Sequence, residues 1–214
     1  MTAADPATRE AYDAVAANYA RLLPDVTAEA PLDRAVLGAF TEMVKQSGDG
    51  LVAEVGCGSG RITAHLADAA LRIFGLDLSP GMTMVARSAR PDLAFAVADA
   101  GRLPLRSGAL GGLVAWYSLI NMPSDVLPGV LTEFARVTRP GAPVVVAFQS
   151  GAGERVDRTG AYGLPVTFTY YRHRVQDMED ALFGADFGLH ATVRREPSQG
   201  HETTPQTFLL AVRQ

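Results

Sequence analysis

Glu54, Gly56, Gly58 and Gly60, followed seventeen residues on by Asp77, are the residues whose types and spacing have the clearest chemical consequence. Glycines at alternate positions let a backbone turn sharply and come within contact distance of a ligand, because no Cβ stands in the way. The run Leu51-Val52-Ala53-Glu54-Val55 ahead of them is mostly apolar, as suits a parallel strand covered on both faces. A helix opening at Arg61 would aim its free amide groups and the positive end of its dipole at whatever the turn holds. A small polar ligand is expected there. The spacing reads G-x-G-x-G, not the G-x-G-x-x-G of dinucleotide sites, and no Lys-Ser or Lys-Thr follows to make a triphosphate loop. The next strand ends in Asp77, whose carboxylate can accept hydrogen bonds from both hydroxyls of a ribose.

The surrounding elements must hold these groups in place. Helical spacing over 6–23 puts Tyr12, Val15, Ala16 and Tyr19 on one face. Pro24 and Pro31 bracket the connection to a second helix over 32–45, which Gly48-Asp49-Gly50 ends. Strands are predicted over 51–55, 71–76, 93–97, 112–117 and 143–149, with helices between them over 61–69, 80–89 and 125–138. Repeated strand–helix units imply a mostly parallel sheet in an α/β fold. The tail changes character: a helix over 175–185 precedes strands at 189–195 and 206–212, joined by a polar turn, which reads as an antiparallel hairpin. Between core and tail, Gln149 to Arg174 carries Gly151, Gly153, Gly160 and Gly163, then Phe168, Tyr170, Tyr171 and His173. Glycines and aromatics together suit a mobile cover over a small organic molecule, with Tyr170 and Tyr171 lining a pocket. The alternation from Val166 to Tyr171 equally fits a strand crossing onto the sheet.

The chain resembles the class I S-adenosylmethionine-dependent methyltransferases, especially the small bacterial type, from about Tyr12 to the C-terminus. The resemblance rests on Tyr12-Asp13-Ala14-Val15-Ala16-Ala17-Asn18-Tyr19-Ala20, Glu54-Val55-Gly56-Cys57-Gly58-Ser59-Gly60, Gly75-Leu76-Asp77-Leu78-Ser79-Pro80-Gly81-Met82, Ala98-Asp99-Ala100-Gly101-Arg102-Leu103-Pro104 and Val137-Thr138-Arg139-Pro140-Gly141-Ala142. It implies a Rossmann-like doubly wound sheet, mostly parallel, with an antiparallel C-terminal hairpin strand. It also implies one domain over 1–214: a helical lid or cap over 1–46, a cofactor-binding core over 47–150, and an acceptor-side segment with the hairpin over 151–214.

By the same resemblance the cofactor is S-adenosyl-L-methionine, leaving as S-adenosyl-L-homocysteine. Glu54 would face its methionine end, with a structural hydrogen bond to loop amides as the alternative. Asp77 would take the ribose, or cap the helix near Ser79. Asp99 and the backbone of Ala100 would meet the adenine, and Leu78 and Met82 would wall it, although Met82 equally reads as core. Tyr19 would reach the methionine carboxylate from a helix lying across the cofactor, unless both tyrosines simply pack on the core. Cys57 reads as a small residue that fits the turn. Trp116 and Tyr117, at the end of the fourth strand, would flank the reacting methyl or merely pack the sheet. Many relatives start that strand with an acid and carry histidine near Ile120 or Asn121; here the first position is Gly112 and the histidine is absent. Tyr117 and His173 are therefore the candidate catalytic groups, with His173 as general base or, flanked by Arg172 and Arg174, as a solvated surface residue.

The chain has 214 residues, 48% hydrophobic and 20% charged, which fits one soluble globular domain. A net charge of −4 without basic runs argues against nucleic acid as partner. A single cysteine excludes an internal disulfide, and no His, Cys and acid cluster has metal-ligand spacing, so no metal is expected. With no membrane-length apolar stretch and no signal-peptide pattern, a cytoplasmic monomer or homodimer without a membrane partner is expected. His190 and His201 fall in the tail hairpin. Methyl transfer to a small-molecule acceptor, at oxygen or nitrogen, is the expected function. The alternatives are the same fold and cofactor used for a cyclisation or rearrangement, or a binding protein without catalysis.

Overall fold

The computed structural model describes residues 5–198, 200 and 202–214; His201 lies outside them. Helix α1 (Pro6–Leu22) begins where Asp5 accepts a hydrogen bond from the Ala7 amide and Pro6 takes a position that needs no amide donor. Helix α2 runs Pro31–Gln46. Strands β1 (Val52–Val55), β2 (Ile73–Asp77), β3 (Phe95–Val97), β4 (Gly112–Trp116) and β5 (Pro143–Gln149) alternate with helices α3 (Arg61–Asp68), α4 (Pro80–Ala89) and α5 (Leu127–Val137). The chain then forms a ribbon of β6 (Glu154–Ala161) and β7 (Leu164–Arg172), helix α6 (Val175–Gly184), and strands β8 (Phe187–Arg195) and β9 (Gln206–Arg213).

Seven strands make one sheet in the order β3-β2-β1-β4-β5-β9-β8, parallel from β3 to β5 and antiparallel at β9 and β8. The doubly wound, mostly parallel sheet with an antiparallel hairpin is as the sequence predicts. The order reverses between β1 and β4, so the loops leaving their carboxyl ends diverge and open a crevice. On one face, α5 and α6 bury Leu131, Phe134, Met178 and Leu182 against Leu113, Val144, Val146 and Leu209. On the other, α2 and α3 bury Leu37, Phe40, Val44, Ile62 and Leu66 against Val52, Val114, Val145 and Leu210. Helix α2 is thus part of the core layer, whereas α1 lies over the crevice, packed on α4 and β7.

The segment from Gln149 to Arg174 lies over the cavity but departs from both expectations in its details. Strands β6 and β7 pair only with each other as an antiparallel ribbon, closed by a turn at Tyr162 and Gly163, and do not cross onto the main sheet. Side chains alternate between the two faces of a ribbon, so Tyr170 and Tyr171 point to opposite sides. Tyr170 lines the cavity described below, whereas Tyr171 stacks on His173 at 6.3 Å.

Candidate active site

The carboxyl ends of β1, β2 and β4 floor a cavity of about 670 Å³, within the usual range of roughly 300–1,000 Å³ for small-ligand sites. Its shape depends on the glycines. Gly56 has φ +77°, and a Cβ there would stand 2.1 Å from the Ser118 Cβ, so the β1 turn can pass the β4 loop only without a side chain. Gly60 has φ +79° and backs onto the Phe95 ring, which a Cβ would approach to 2.8 Å. Cys57 points the same way, packed with Phe95 and Ala86 behind the turn. Burial raises its thiol pKa. Gly56 and Gly58 line the cavity; Cys57 and Gly60 shape the turn from behind.

Asp77 ends β2 with its carboxylate held from two sides. Oδ2 accepts from the Gly58 amide at 2.7 Å and Oδ1 from the Ser79 amide at 2.8 Å. A carboxylate has about four acceptor positions, so each oxygen keeps one for a ligand in the cavity that Asp77 lines. Burial raises its pKa, opposed by the amides of Ser79 and Gly58. Leu78, Met82, Asp99 and Ala100 continue the wall, with Met82 itself buried in the α1–α4 contact. Asp99 Oδ1 accepts from the Gly101 amide at 2.9 Å, which fixes the turn after β3.

Helix α1 and the ribbon form the roof. Asp13 Oδ1 accepts from the Ser79 hydroxyl at 2.5 Å and the Gly81 amide at 2.8 Å, fastening α1 to the start of α4. Tyr12 meets Phe168 edge-on at 4.7 Å, Tyr19 packs on Tyr162 at 4.9 Å, and Asn18 Nδ2 donates to the Tyr162 carbonyl at 3.0 Å. Both predicted tyrosines line the cavity, Tyr19 with its ring 3.8 Å from where a Gly58 Cβ would stand.

Two expectations change. Glu54 does not line the cavity. It is 2% exposed and accepts a short hydrogen bond from Thr63 Oγ1, which ties β1 to α3; loop amides are not its partners. Burial pushes its pKa up to about 8, against the opposing pull of Thr63 and Arg61. His173 is neither a surface residue nor a cavity residue. Fully buried, its Nε2 donates to the Leu119 carbonyl at 3.1 Å and its Nδ1 lies 3.4 Å from the Ser124 hydroxyl. Burial lowers its pKa, so the ring is a neutral tie between segments with both nitrogens engaged.

Trp116 and Tyr117 do line the cavity, and they also pack: Trp116 stacks on Phe208 at 5.2 Å. Tyr117 has φ +55°, a costly conformation for a residue with a side chain, held by its amide bond to the Ala147 carbonyl at 3.0 Å. Burial first, then the carboxylates Glu29 and Asp33, push its phenol pKa well above the usual value.

Residues that the sequence did not flag complete the site. Arg61, first residue of α3, pairs with Glu29 at 2.5 Å beside the Tyr19 hydroxyl. Arg195 bridges Asp33 and Glu202 with four bonds of 2.5 to 2.7 Å, holding the loop that brings Glu202 and Thr203 to the wall. Arg158 lines the rim from the ribbon. The position of Arg61 directly after the glycine turn was a usable signal; the partners of Arg195, distant in sequence, gave none.

The methyltransferase domain family matches residues 52–141, which carry the floor of this cavity. The chain is 40% identical to demethylmenaquinone methyltransferase of Beutenbergia cavernae over 96 residues, 45% of this chain and 39% of that protein. It is 29% identical to the malonyl-[acyl-carrier protein] O-methyltransferase of Serratia marcescens, over 75% of this chain and 60% of that one. The chain thus spans about two to three fifths of these relatives' length. Magnesium protoporphyrin IX methyltransferase from Synechocystis PCC 6803, solved with bound SAM, superposes with TM-score 0.73 over 100% of both chains at 17% identity. Fold and cavity define a Rossmann-like methyltransferase architecture. Residues 52–141 are similar to the methyltransferase domain family, and the chain as a whole shares the fold of solved methyltransferases. Among the described residues, no helix is long and apolar enough to cross a membrane.

Proposed function

We propose that this chain transfers the methyl group of S-adenosylmethionine to a small-molecule acceptor, at oxygen or nitrogen. The observation that carries the reading is Asp77: a carboxylate at the end of β2, fixed by two backbone amides, with acceptor positions left over in a cavity large enough for both partners. Those positions suit the two hydroxyls of a ribose. Asp99 and the Ala100 backbone, which line the same cavity as Leu78 and Met82, would meet the adenine. Tyr19 and Arg61 serve the methionine end beside the glycine turn, in the part that sequence reasoning gave to Glu54. Glu54 acts at one remove, through its bond to Thr63 on the helix that carries Arg61.

When bound, the cofactor supplies a methyl group activated on a sulfonium. The protein then has to align the acceptor with that methyl and keep water out, and alignment of this kind is worth roughly 7–11 kcal/mol. Trp116 and Tyr117 wall the space between the floor and the ribbon, and Tyr12, Phe168 and Tyr170 close it from above. Titration calorimetry with S-adenosylmethionine and S-adenosylhomocysteine tests the first half of the reading. Release of S-adenosylhomocysteine in the presence of acceptors tests the second. Failure of both compounds to bind the folded protein overturns it.

A further inference from the structure

Deepening the methyl-transfer reading, and resting on it, we propose that the acceptor is a carboxylic acid, bound as its carboxylate and released as the methyl ester, with Trp116 and Arg158 as its binding residues. Three independent features of the acceptor side point there.

The first is the state of every proton-accepting side chain near the β4 end of the cavity. Both oxygens of Glu202 are taken by Arg195. Glu29 is paired with Arg61. His173 lies outside the cavity with both nitrogens engaged, and Tyr117 keeps its proton through burial and the surrounding carboxylates. A site arranged in this way has no group placed to remove a proton, so the acceptor must arrive as a ready nucleophile.

The second is a pair of donors with nothing to bond. Trp116 Nε1 and Ser118 Oγ are buried, belong to residues lining the cavity, and have no hydrogen-bond partner among the described residues. An indole N–H can only donate, and leaving it unmatched in the interior costs about 1–3 kcal/mol. It matches an oxygen with a lone pair and opposes an ammonium or amide N–H.

The third is charge. Arg158 is exposed at the cavity rim, and among the described residues no carboxylate pairs with it. In the ribbon it stands opposite Phe168, on the face that also presents Tyr170. A cation beside two aromatic rings favours an anion carried on an apolar body and disfavours a protonated amine.

The chemistry balances without a base. A carboxylate oxygen supplies the electron pair for the new O–CH3 bond. The bond from methyl to sulfonium sulfur breaks with its pair left on sulfur. The two opposite charges cancel, and no proton is released.

Trp116 is the chain's single tryptophan, so its fluorescence reports directly on this end of the cavity. The test uses the full chain with S-adenosylhomocysteine bound, titrated with benzoate, cinnamate and octanoate and with the matching primary amides, alcohols and amines. The same compounds are then supplied with methyl-labelled S-adenosylmethionine, and base-labile labelled methanol is measured. The expected results are that at least one acid changes the fluorescence and yields a base-labile ester, while its amide, alcohol and amine do not. Trp116→Phe, checked for an unchanged melting curve, should lower kcat/KM for that acid about tenfold with the cofactor Kd unchanged. Arg158→Gln should raise KM severalfold at constant kcat and weaken its dependence on salt. Transfer to an alcohol or amine but to no acid, no binding of any acid at millimolar concentration, or full activity of both variants overturns the proposal while methyl transfer can stand. Absence of cofactor binding overturns the methyl-transfer reading itself.

Discussion

Replacing Asp77 by alanine separates what this carboxylate does for the fold from what it does for a ligand. In the folded chain it accepts from the Gly58 amide at 2.7 Å and from the Ser79 amide at 2.8 Å. Each is a charge-assisted bond of about 1.5–3 kcal/mol, and the cost of burying the charge, which raises the Asp77 pKa, offsets part of the sum. The ligand-free melting temperature should therefore fall. At a temperature where both proteins are folded, the loss of the ribose contacts should weaken S-adenosylmethionine by about 1–3 kcal/mol, or roughly 5- to 150-fold in Kd. Asp77→Asn should lie between. It keeps one acceptor oxygen, but its NH2 must face one of two backbone donors. Calorimetry with S-adenosylmethionine and S-adenosylhomocysteine reads the affinities, and circular dichroism establishes the folded fraction. A folded Asp77→Ala protein with wild-type affinity for both compounds would refute the placement of the ribose.

Gly56→Ala should destabilise the fold by at least about 1–3 kcal/mol, because it adds backbone strain at φ +77° to a 2.1 Å approach to the Ser118 Cβ. Ser118→Gly in the same chain should recover the steric part, and denaturant titration of the single and double variants would show an absence of rescue. Glu54, with its pKa raised from 4.5 to about 8, holds a proton in the folded state that the unfolded chain has lost, so stability should fall as pH rises between those values. Glu54→Gln should flatten that slope, and identical slopes in melting curves from pH 5 to pH 8 would count against a protonated Glu54. Tyr19→Phe should weaken cofactor binding while leaving the ligand-free melting temperature nearly unchanged; the opposite pattern, a lower melting temperature with wild-type affinity, would make α1 structural only.

The floor of the site was legible because its determinants are local. An apolar run, alternate glycines and a helix start lie within eleven consecutive residues, from Leu51 to Arg61, and Asp77 ends the neighbouring strand in register with β1. The roof was not. Strand β6 reads Glu-Arg-Val-Asp-Arg-Thr-Gly-Ala, with exposed residues on both faces, so no alternation marks it. His173 was misplaced for a simpler reason. Its neighbours Arg172 and Arg174 made it look solvated, but in extended chain adjacent side chains point to opposite sides, so flanking charges say little about the residue between them. The Arg195 cluster spans 162 residues between Asp33 and its arginine, a separation that no local pattern reports.

Gly112 illustrates how a departure from a family's pattern can be structural. Where many relatives have an acid, its absence leaves room for a reading as a cofactor-binding protein without catalysis. The packing gives a different reason. A Cβ on Gly112 would stand 3.0 Å from Val44 Cγ2 and 3.3 Å from both Phe40 Cζ and Val52 Cγ2. At the preceding Gly111 the fit is tighter still, since a Cβ there would stand 2.5 Å from the Gly50 Cα. Helix α2 is thus pressed against the amino end of β4, where Gly112 makes room for its Phe40 and Val44, both fully buried, and Gly111 makes room for the Gly50 backbone. That end of the strand lies about 13 Å from Trp116, counting four steps of roughly 3.3 Å. The cavity opens at the opposite end, among Trp116, Tyr117 and Ser118. Gly112 therefore reports on how tightly α2 packs, and carries no argument against catalysis. The chemical character of the site is set where the strand ends, by unmatched donors and by carboxylates already held by arginines.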